Sequence, residues 1–328
     1  MALAVVVAAA AVGALAAFGG SALTGSVTAL AHLHWAWVPL AVVAESASMA
    51  SFARSQRRLL RAGGGAPLHL GSVLALTYAG NAISVSLPLA GAEVATGFTF
   101  RQYGRLGIDP AVAGWALAVS GMFSSAAFAV VLAGGAVGSG SPTAATLGVS
   151  GAVLVLVPTA AVLSALRYPR VRHRLNRALE RLVRASRRVV KRPRPGAEEC
   201  LERLLDRVAA LRLPRLQYVE VFGLALWNWV ADCLCLAAAL RATGASIPWQ
   251  GLFLAYAGGM TAATLGLTPG GLGVVEAALA AALVAAGTTG HHALAAVLVY
   301  RLISFWLVMA SGWVVMAALV RASRRSAN

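Results

Sequence analysis

The sequence predicts an all-α polytopic membrane protein with six spanning helices and two re-entrant broken-helix hairpins in inverted repeats. Composition is the first reason. Of 328 residues, 59% are apolar and 12% are charged, whereas a soluble domain carries about a quarter charged residues. The mean hydropathy of +0.77 agrees with this. The other reasons are a set of long apolar runs and two runs that proline and glycine interrupt.

Six apolar runs are long enough to cross a hydrocarbon core of roughly 30 Å as single helices. They are Ala2–Phe18, Trp35–Phe52, Ala111–Leu132, Thr143–Leu166, Leu216–Leu240 and Ala293–Val320. The first run lacks the basic residues that precede the apolar part of a cleaved signal peptide. We therefore expect it to remain as a spanning helix.

Two other apolar regions, Leu70–Phe100 and Gly251–Gly287, are interrupted near Pro88–Gly91 and near Pro269–Gly273. In hydrocarbon, an unpaired backbone group costs several kcal/mol, so a break is tolerated only where packing or a water-filled cavity covers it. The second break lies in LTPGGLGVVEA at Leu267–Ala277, which also carries a carboxylate. Ionisable groups at membrane depth are usually functional, so this stretch predicts a substrate site inside the membrane.

The arginines indicate the orientation of the spans, because cytoplasmic loops of membrane proteins are enriched in Lys and Arg. Arg54–Arg61 contain four arginines after the second span, and Arg101 and Arg105 follow the first broken region. Both groups are cytoplasmic only if that region enters the membrane and returns as a hairpin. The same threading makes the second region a hairpin from the outside and leaves both termini in the cytoplasm. Arg241 is then the one arginine on the outer side.

This threading also predicts a repeat, because a span, a broken hairpin and a span occur twice in opposite orientations. Each hairpin carries proline, glycine and glutamate in that order, which are Pro88, Gly91 and Glu93 in the first and Pro269, Gly273 and Glu276 in the second. In transporters built from such repeats, the site lies at the repeat interface. The chain divides into residues 1–34, the first span and an external loop; 35–132, the first repeat with its hairpin at 70–103; 133–166, a connecting span; 167–215, a basic cytoplasmic amphipathic linker; and 216–328, the second repeat with its hairpin at 251–287.

The formal net charge of +16 is nearly all arginine, and Lys191 is the only lysine. Because this charge lies between apolar runs, it indicates membrane topology and excludes nucleic acid as the expected partner. In the linker, Val171, Leu175 and Leu179 recur at helical spacing between arginines. The pattern fits a helix lying on anionic lipid, and it equally fits a solvated helical hairpin that joins the two halves.

Glu276 is the first site candidate. It could accept a cationic head group or a proton, it could hold an arginine, or it could only cap the broken helix through backbone amides. Gly270, Gly271 and Gly273, which follow Pro269, would let the chain reverse and leave amides open. The helix that follows them would present its positive end to an anion such as a phosphate.

Arg301 lies about two turns into the last span. A buried arginine needs a partner, for which Glu276 and Asp232 are the candidates. One interpretation is a phosphate clamp, since a guanidinium suits bidentate phosphate contact. The other is an ion pair that only holds helices together.

Further polar residues lie in apolar helices of both halves. Asp232 and Asn228 are four apart and share one helix face, and Glu45 could play a similar part in the first half. Asn81, ahead of Pro88, could line a polar cavity or satisfy freed backbone groups. Hydrogen bonding between helices is the alternative explanation for all of these residues.

The sequence contains no zinc-ligand spacing, no phosphate-binding GxxxxGK[ST] loop and no GxSxG elbow. We therefore expect no metal, no cofactor, no catalytic residue and no ATP-driven transport by this chain alone. His291 and His292, at the outer start of a helix, are expected to face water.

The resemblance to a known family rests on TPGGLGVVEAAL, on AVLVYRLISFW after it and on WNWVADCLCLAAALRATG before it. These motifs resemble the lysylphosphatidylglycerol synthase transmembrane (flippase-like) family, and GNAISVSLPLAGAEVATGFTFRQYGRLG is similar to its first-half motif. The resemblance covers about Trp35–Val320. It implies a bacterial inner-membrane protein that moves a polar-headed lipid between leaflets. It also implies site roles for Pro269, Gly270, Gly271, Gly273, Glu276 and Arg301, and for Asn81, Pro88 and Glu93 in the first half.

Full-length synthases of that family add a soluble aminoacyl-transfer domain. The sequence ends at Asn328, just after the last span, so we expect no synthase activity. The first-half turn LPLAGAE also departs from the glycine- or arginine-rich turn of many family members.

We therefore expect a lipid translocase that moves a phosphate-bearing phospholipid or glycolipid across the bacterial cytoplasmic membrane, without enzymatic activity. One alternative is a proton-coupled transporter of a small soluble solute, which a fully enclosed cavity would favour. Another is an intramembrane enzyme that uses Glu276 as acid or base, which a second catalytic group within hydrogen-bonding reach would favour. A homo-oligomer is left open.

Overall fold

The computed structural model describes residues 25–167, 215–263 and 268–325, and within these ranges the regular structure is helical. The elements are α1 (Trp37–Ala62), α2 (Leu70–Ser86), α3 (Gly91–Arg105), α4 (Pro110–Gly138), α5 (Pro142–Arg167), α6 (Arg215–Ala242), α7 (Trp249–Ala263), a 3₁₀ turn (Pro269–Gly271), α8 (Val274–Ala285), α9 (Gly290–Arg301), a π-helical turn (Leu302–Leu307) and α10 (Val308–Arg325). The predicted span Ala2–Phe18 and nearly all of the predicted linker at 167–215 lie outside the described residues.

Four of the described helices are long and apolar enough to cross a membrane, so the chain is a multi-pass membrane protein. They are α4, residues Pro142–Ser164 of α5, residues Leu216–Ala242 of α6, and the continuous helix Gly290–Arg321 formed by α9, the π turn and α10. These four match predicted spans. The predicted span Trp35–Phe52 is instead part of α1, which continues to Ala62 and carries Glu45 and four arginines. Because of these charged residues, α1 is not among the four helices that are apolar enough to be identified as spans.

Both predicted helix breaks are present. The first lies between the end of α2 at Ser86 and the start of α3 at Gly91, and the second lies between the end of α7 at Ala263 and the start of α8 at Val274. In each case the two arms pack against each other, α2 on α3 and α7 on α8. In the first break α2 ends two residues before Pro88, as the sequence predicts. In the second break residues 264–267 lie outside the described part of the chain.

The helices enclose two apolar cores. The larger one joins α6, α7, α8 and α9 and contains fully buried Leu236, Leu252 and Leu279. The smaller one joins the end of α1 to α3 and α4 through Leu59 and Tyr103. Helix α1 packs along α6 between these cores, and this pairing brings the polar faces of the two helices together.

Helix α5 packs on α4 and leaves much of its apolar surface uncovered. Leu147, Leu154 and Val157 are 69%, 77% and 61% exposed. An apolar face of this kind is expected where a helix contacts lipid rather than water or protein.

Local sequence determines the helix ends and one close crossing. Pro110 is the first residue of α4, and the Asp109 carboxylate accepts a hydrogen bond of 2.8 Å from the Ala111 amide. Such a cap contributes about 1 kcal/mol. Helix α10 crosses α2 at Gly312, where a Cβ would overlap the Tyr78 carbonyl, so a small residue is required for this contact.

Arg241, the residue that the topology prediction leaves on the outer side, lies near the end of α6. Its guanidinium is 5.5 Å from the centre of the Trp37 ring and donates a 3.3 Å hydrogen bond to the Ala245 carbonyl. These contacts give this charge partners at the end of the helix.

Candidate functional site

A polar cavity of about 700 Å³ lies between the two halves of the described chain. Its wall is formed by residues of α1, α2, α3, α4, α6, α7, the 3₁₀ turn, the end of α9 and the π turn. Three carboxyl groups line it, those of Glu45, Glu93 and Asp232, and Arg301 is the one cationic side chain among the described lining residues. The wall therefore combines three carboxyl groups with a single guanidinium.

The 3₁₀ turn that borders this cavity depends on glycine. Gly270, Gly271 and Gly273 have φ values of +58°, +70° and +83°, in the region that residues with a Cβ rarely adopt. A Cβ on Gly270 would also overlap the ring of Phe305. At Gly270, both the backbone conformation and the lack of space for a Cβ therefore require glycine.

Glu276 and Arg301 join the start of α8 to the end of α9. The Glu276 carboxylate accepts a 2.6 Å hydrogen bond from the Gly273 amide through Oε2 and a 2.6 Å bond from Arg301 Nε through Oε1. Arg301 Nη2 donates a 2.8 Å bond to the Gly270 carbonyl, and its guanidinium carbon lies 4.3 Å from the centre of the Phe305 ring. Both sides of the broken helix are thereby attached to one arginine.

Three consecutive amides of the turn already donate hydrogen bonds within the chain. The Gly271 amide donates to Thr268 at 3.0 Å, the Leu272 amide to Pro269 at 3.2 Å, and the Gly273 amide to Glu276. Thr268 Oγ1 also donates to the Leu272 carbonyl at 2.9 Å. In this conformation the guanidinium of Arg301, rather than these amides, is available to an anion in the cavity.

Asp232 lies at the centre of a second polar cluster. The Tyr256 hydroxyl donates to Oδ2 at 2.6 Å and the Tyr300 hydroxyl donates to Oδ1 at 2.9 Å. Glu45, on α1, lines the same cavity and lies level with Asp232, one turn from the Asn228–Ser48 hydrogen bond. Residues from α1, α6, α7 and α9 thus meet at one aspartate.

Asn228 and Asn81 connect helices and also line the cavity. Asn228 Nδ2 donates to the carbonyl and hydroxyl oxygens of Ser48 at 3.0 and 2.7 Å, which connects α6 to α1. Asn81 Nδ2 lies 3.7 Å from the sulfur of Met49. The Ser48 contacts are the interhelical hydrogen bonds that the sequence left as an alternative.

The sequence-predicted residues fall into two groups. Those that line the cavity are Asn81, Glu93, Asn228, Asp232, Gly270, Gly271 and Arg301. Pro88, Pro269, Gly273 and Glu276 are not among its described lining residues. Glu276 lies behind Arg301 and holds it, while Pro88 is exposed in the first break.

Sequence reasoning gave too little weight to Glu45 and did not identify Tyr256. A buried tyrosine hydroxyl normally has a hydrogen-bond partner, so a tyrosine within the apolar run of α7 was a signal that could have been used. Its partner, however, is on another helix, and the sequence alone does not say which one.

A second, smaller pocket of about 470 Å³ is lined by His32, His34, His291 and His292. The rings of His291 and His292 lie 4.2 Å apart, centre to centre. Among the described residues, no group of His, Cys, Asp and Glu side chains has an arrangement that could hold a metal ion.

Comparison with known proteins agrees with the fold and the motifs. The family model for the lysylphosphatidylglycerol synthase TM region matches residues 1–312. The chain belongs to this family. It is also 30% identical over 128 residues to a UPF0104 membrane protein of Methanothermobacter thermautotrophicus, an alignment that covers 36% of this chain and 38% of that protein. The match therefore spans less than half of the relative's length, and it supports the family without assigning an activity.

Proposed function

We propose that this protein is a lipid translocase that moves a polar-headed, phosphate-bearing lipid between the leaflets of the bacterial cytoplasmic membrane. The observation that carries the proposal is the cavity, whose wall holds Arg301 together with the carboxyl groups of Glu45, Glu93 and Asp232 inside a membrane protein. Membership of a family named for a lipid synthase membrane region supports a lipid-related role.

The distribution of charge suggests how a lipid head group would bind. The guanidinium of Arg301 would contact the phosphate, because its planar fork matches phosphate oxygens. The carboxyl groups in the wall would contact hydroxyl or cationic groups beyond the phosphate. Glu276 keeps the arginine in place through its 2.6 Å contact and would not need to touch the lipid itself.

The rim of the cavity offers a place for the acyl chains. Leu87 and Leu89, in the first helix break, line the cavity and are 41% and 81% exposed. An exposed apolar rim beside a polar wall suits a molecule whose head is solvated and whose tails remain in hydrocarbon. A soluble solute would have no use for such an opening, which favours the lipid over the solute alternative.

The cavity also has a direction. Along α1 it extends from Glu45 to Gln56, about 16 Å at 1.5 Å per residue, toward the arginine-rich end of that helix. The positive-inside rule assigns that end to the cytoplasm. We therefore assign the conformation described here to the inward-open state, with both helix breaks belonging to re-entrant hairpins of two inverted repeats.

The experiment that tests this function uses purified protein in vesicles that contain tail-labelled fluorescent phosphatidylglycerol or phosphatidylethanolamine. Leaflet exchange is followed by quenching of the outer leaflet, and uptake of radiolabelled glycerophosphoglycerol is followed in parallel. We expect lipid exchange above that of protein-free vesicles, without uptake of the water-soluble head group. Uptake of the head group without lipid exchange would favour the solute transporter instead.

A matched pair of arginine variants controls for general effects of substitution. Arg301→Lys keeps the charge but removes the planar fork, so exchange of phosphate-bearing lipids should fall at least tenfold. Arg58→Lys alters an exposed ion pair with Glu220 on the surface and should leave exchange within twofold of the wild type. Equal loss in both variants would contradict a specific role for Arg301.

A further inference from the structure

Two carboxyl groups meet at the inner wall of the cavity. Glu45 on α1 and Asp232 on α6 lie at the same level of two packed antiparallel helices. Asn228 donates to Ser48, and Glu45 lies about one turn before Ser48 while Asp232 lies one turn after Asn228. Two carboxylates have only acceptor oxygens, and side by side in a buried site they are unfavourable unless one of them carries a proton. We therefore expect the pair to hold one proton, as a carboxylic acid beside a carboxylate.

The hydrogen bonds around the pair indicate where that proton is. Both oxygens of Asp232 accept from tyrosine hydroxyls, Tyr256 at 2.6 Å and Tyr300 at 2.9 Å, which favours the ionised form of this residue. No corresponding hydroxyl donor to Glu45 is found among the described residues. Glu45 is 4% exposed, and its Oε2 atom is buried with no hydrogen-bond partner among the described residues.

The position of the pair restricts access to it. Glu45 and Asp232 both line the cavity. One turn before Glu45 and one turn after Asp232, the residues are Ala41 and Leu236, which are fully buried in the larger apolar core. The pair therefore lies where the water-accessible cavity ends and dry protein begins, so a proton would reach it from one side only in this conformation.

Other titratable groups face the pair from several helices. They are Tyr78 on α2, Cys233 and Cys235 on α6, Tyr256 on α7, and Tyr300 and Arg301 on α9. Among these groups Arg301 is the one that is charged at neutral pH, because tyrosine and cysteine are neutral there. No titratable residue occurs in α4, which also packs on α1.

We propose that Glu45 and Asp232 form the proton-binding site that couples lipid movement to a proton gradient. This inference rests on the proposed function. In the protonated state Glu45 keeps its proton, and its O–H group donates a hydrogen bond to Asp232. On release, the O–H bond of Glu45 breaks, the proton passes to water in the cavity, and two adjacent carboxylates remain.

Two adjacent carboxylates with little water are unfavourable, so release requires a compensating positive charge. Arg301, displaced toward the pair, or a cationic part of the head group supplies it. Rebinding of a proton after the cavity has opened to the other side restores the acid–carboxylate pair. Proton release and head-group binding are thereby linked, as in other membrane proteins that use intramembrane carboxylates as proton relays.

The first test detects the proton directly and does not depend on transport. The infrared carbonyl band of a protonated carboxyl is separate from carboxylate bands and shifts in D₂O. We expect this band in purified wild-type protein at neutral pH and expect to lose it in Glu45→Gln. The amide of Gln can donate to Asp232 as the acid does, so this variant should fold. Glu220→Gln, on the surface, should keep the band, and its absence from the wild type overturns the proposal.

The second test measures coupling in vesicles. Lipid exchange is recorded with the interior two pH units more acidic and two units more alkaline than the exterior, together with internal pH from trapped pyranine. Such a gradient corresponds to about a 100-fold proton ratio. We expect the wild-type rates in the two directions to differ severalfold and lipid-dependent proton movement to accompany them. In Glu45→Gln the ratio of the two rates should be close to one, and lipid should move no protons.

The outcomes separate the two proposals. Wild-type exchange that ignores the gradient and moves no protons overturns the coupling site and leaves the translocase intact. Absence of exchange under every condition overturns the translocase, and the infrared band then decides the proton site by itself. A gradient response that persists in both Glu45→Gln and Asp232→Asn assigns coupling to other residues and overturns this assignment.

Discussion

Arg301 and Glu276 form a buried ion pair, with Nε and Oε1 2.6 Å apart and side-chain exposures of 9% and 14%. The pair connects the end of α9 to the start of α8, and the same arginine also binds the Gly270 carbonyl. The two residues have different positions: Arg301 lines the cavity, whereas Glu276 lies behind Arg301 and is not among the described lining residues.

Breaking this pair from either side should destabilise the protein. Glu276→Gln and Arg301→Gln each leave one buried charge uncompensated, which typically costs about 3–5 kcal/mol. Both variants should therefore melt at lower temperature in detergent, as followed by intrinsic fluorescence. Glu220→Gln, which alters an exposed pair with Arg58, should change stability by less than about 1 kcal/mol.

The double variant separates a structural role from a functional one. With both charges removed, much of the lost stability should return, since neither charge is left unpaired. Lipid exchange should stay low, because the cavity has lost the guanidinium that we assign to the phosphate. A double variant with normal exchange in vesicles would reduce the pair to a structural connection between helices.

Gly270→Ala should disrupt the turn through both conformation and space. At φ +58° a Cβ is unfavourable, and here it would also overlap the Phe305 ring. We expect a loss of about 1–3 kcal/mol and severely reduced exchange. Gly258→Ala in α7 is the matched control, since a Cβ there meets no atom within 4 Å and alanine favours the helix. A Gly270→Ala protein as stable and active as the control would contradict the need for glycine.

Tyr256→Phe and Tyr300→Phe should each weaken the cluster around Asp232. Either change removes one hydroxyl donor while keeping the ring, and hydrogen bonds to charged groups contribute about 1.5–3 kcal/mol. Both donors bond to one carboxylate. The loss of unfolding free energy in the double variant should therefore differ from the sum of the losses in the two single variants. Thermal melting of the three variants measures this difference, and strict additivity would indicate that the two donors act independently.

The helix breaks were predictable from sequence, whereas the contacts of the site were only partly predictable. Proline and glycine act locally, so the end of α2 before Pro88 and the turn at Pro269–Gly273 follow from the sequence itself. The meeting of Glu45 with Asp232 depends on how α1 packs along α6, which no local pattern specifies. Glu276 illustrates the limit, since its spacing allowed both capping and substrate contact, and only the folded turn shows the Gly273 amide and Arg301 occupying its two oxygens.

The direction of the two hairpins is the remaining prediction, and paired cysteines can test it. Gln102 lies near the end of α3 and Gln250 near the start of α7, and both are at least partly exposed. If both breaks belong to re-entrant hairpins of opposite orientation, Gln102→Cys should react with a membrane-impermeant maleimide only from the cytoplasm. Gln250→Cys should react only from outside.

Cys233 and Cys235 are buried, so the background for this labelling needs only Cys200→Ser. The expected pattern follows from charge, because Arg101 and Arg105 flank the first position and cytoplasmic loops are enriched in arginine. Labelling is compared in intact and permeabilised cells, with thiol-blocked samples as the control. Outside labelling at Gln102 would mean that α2 and α3 together cross the membrane once, and the inverted-repeat assignment would then fail for the first half.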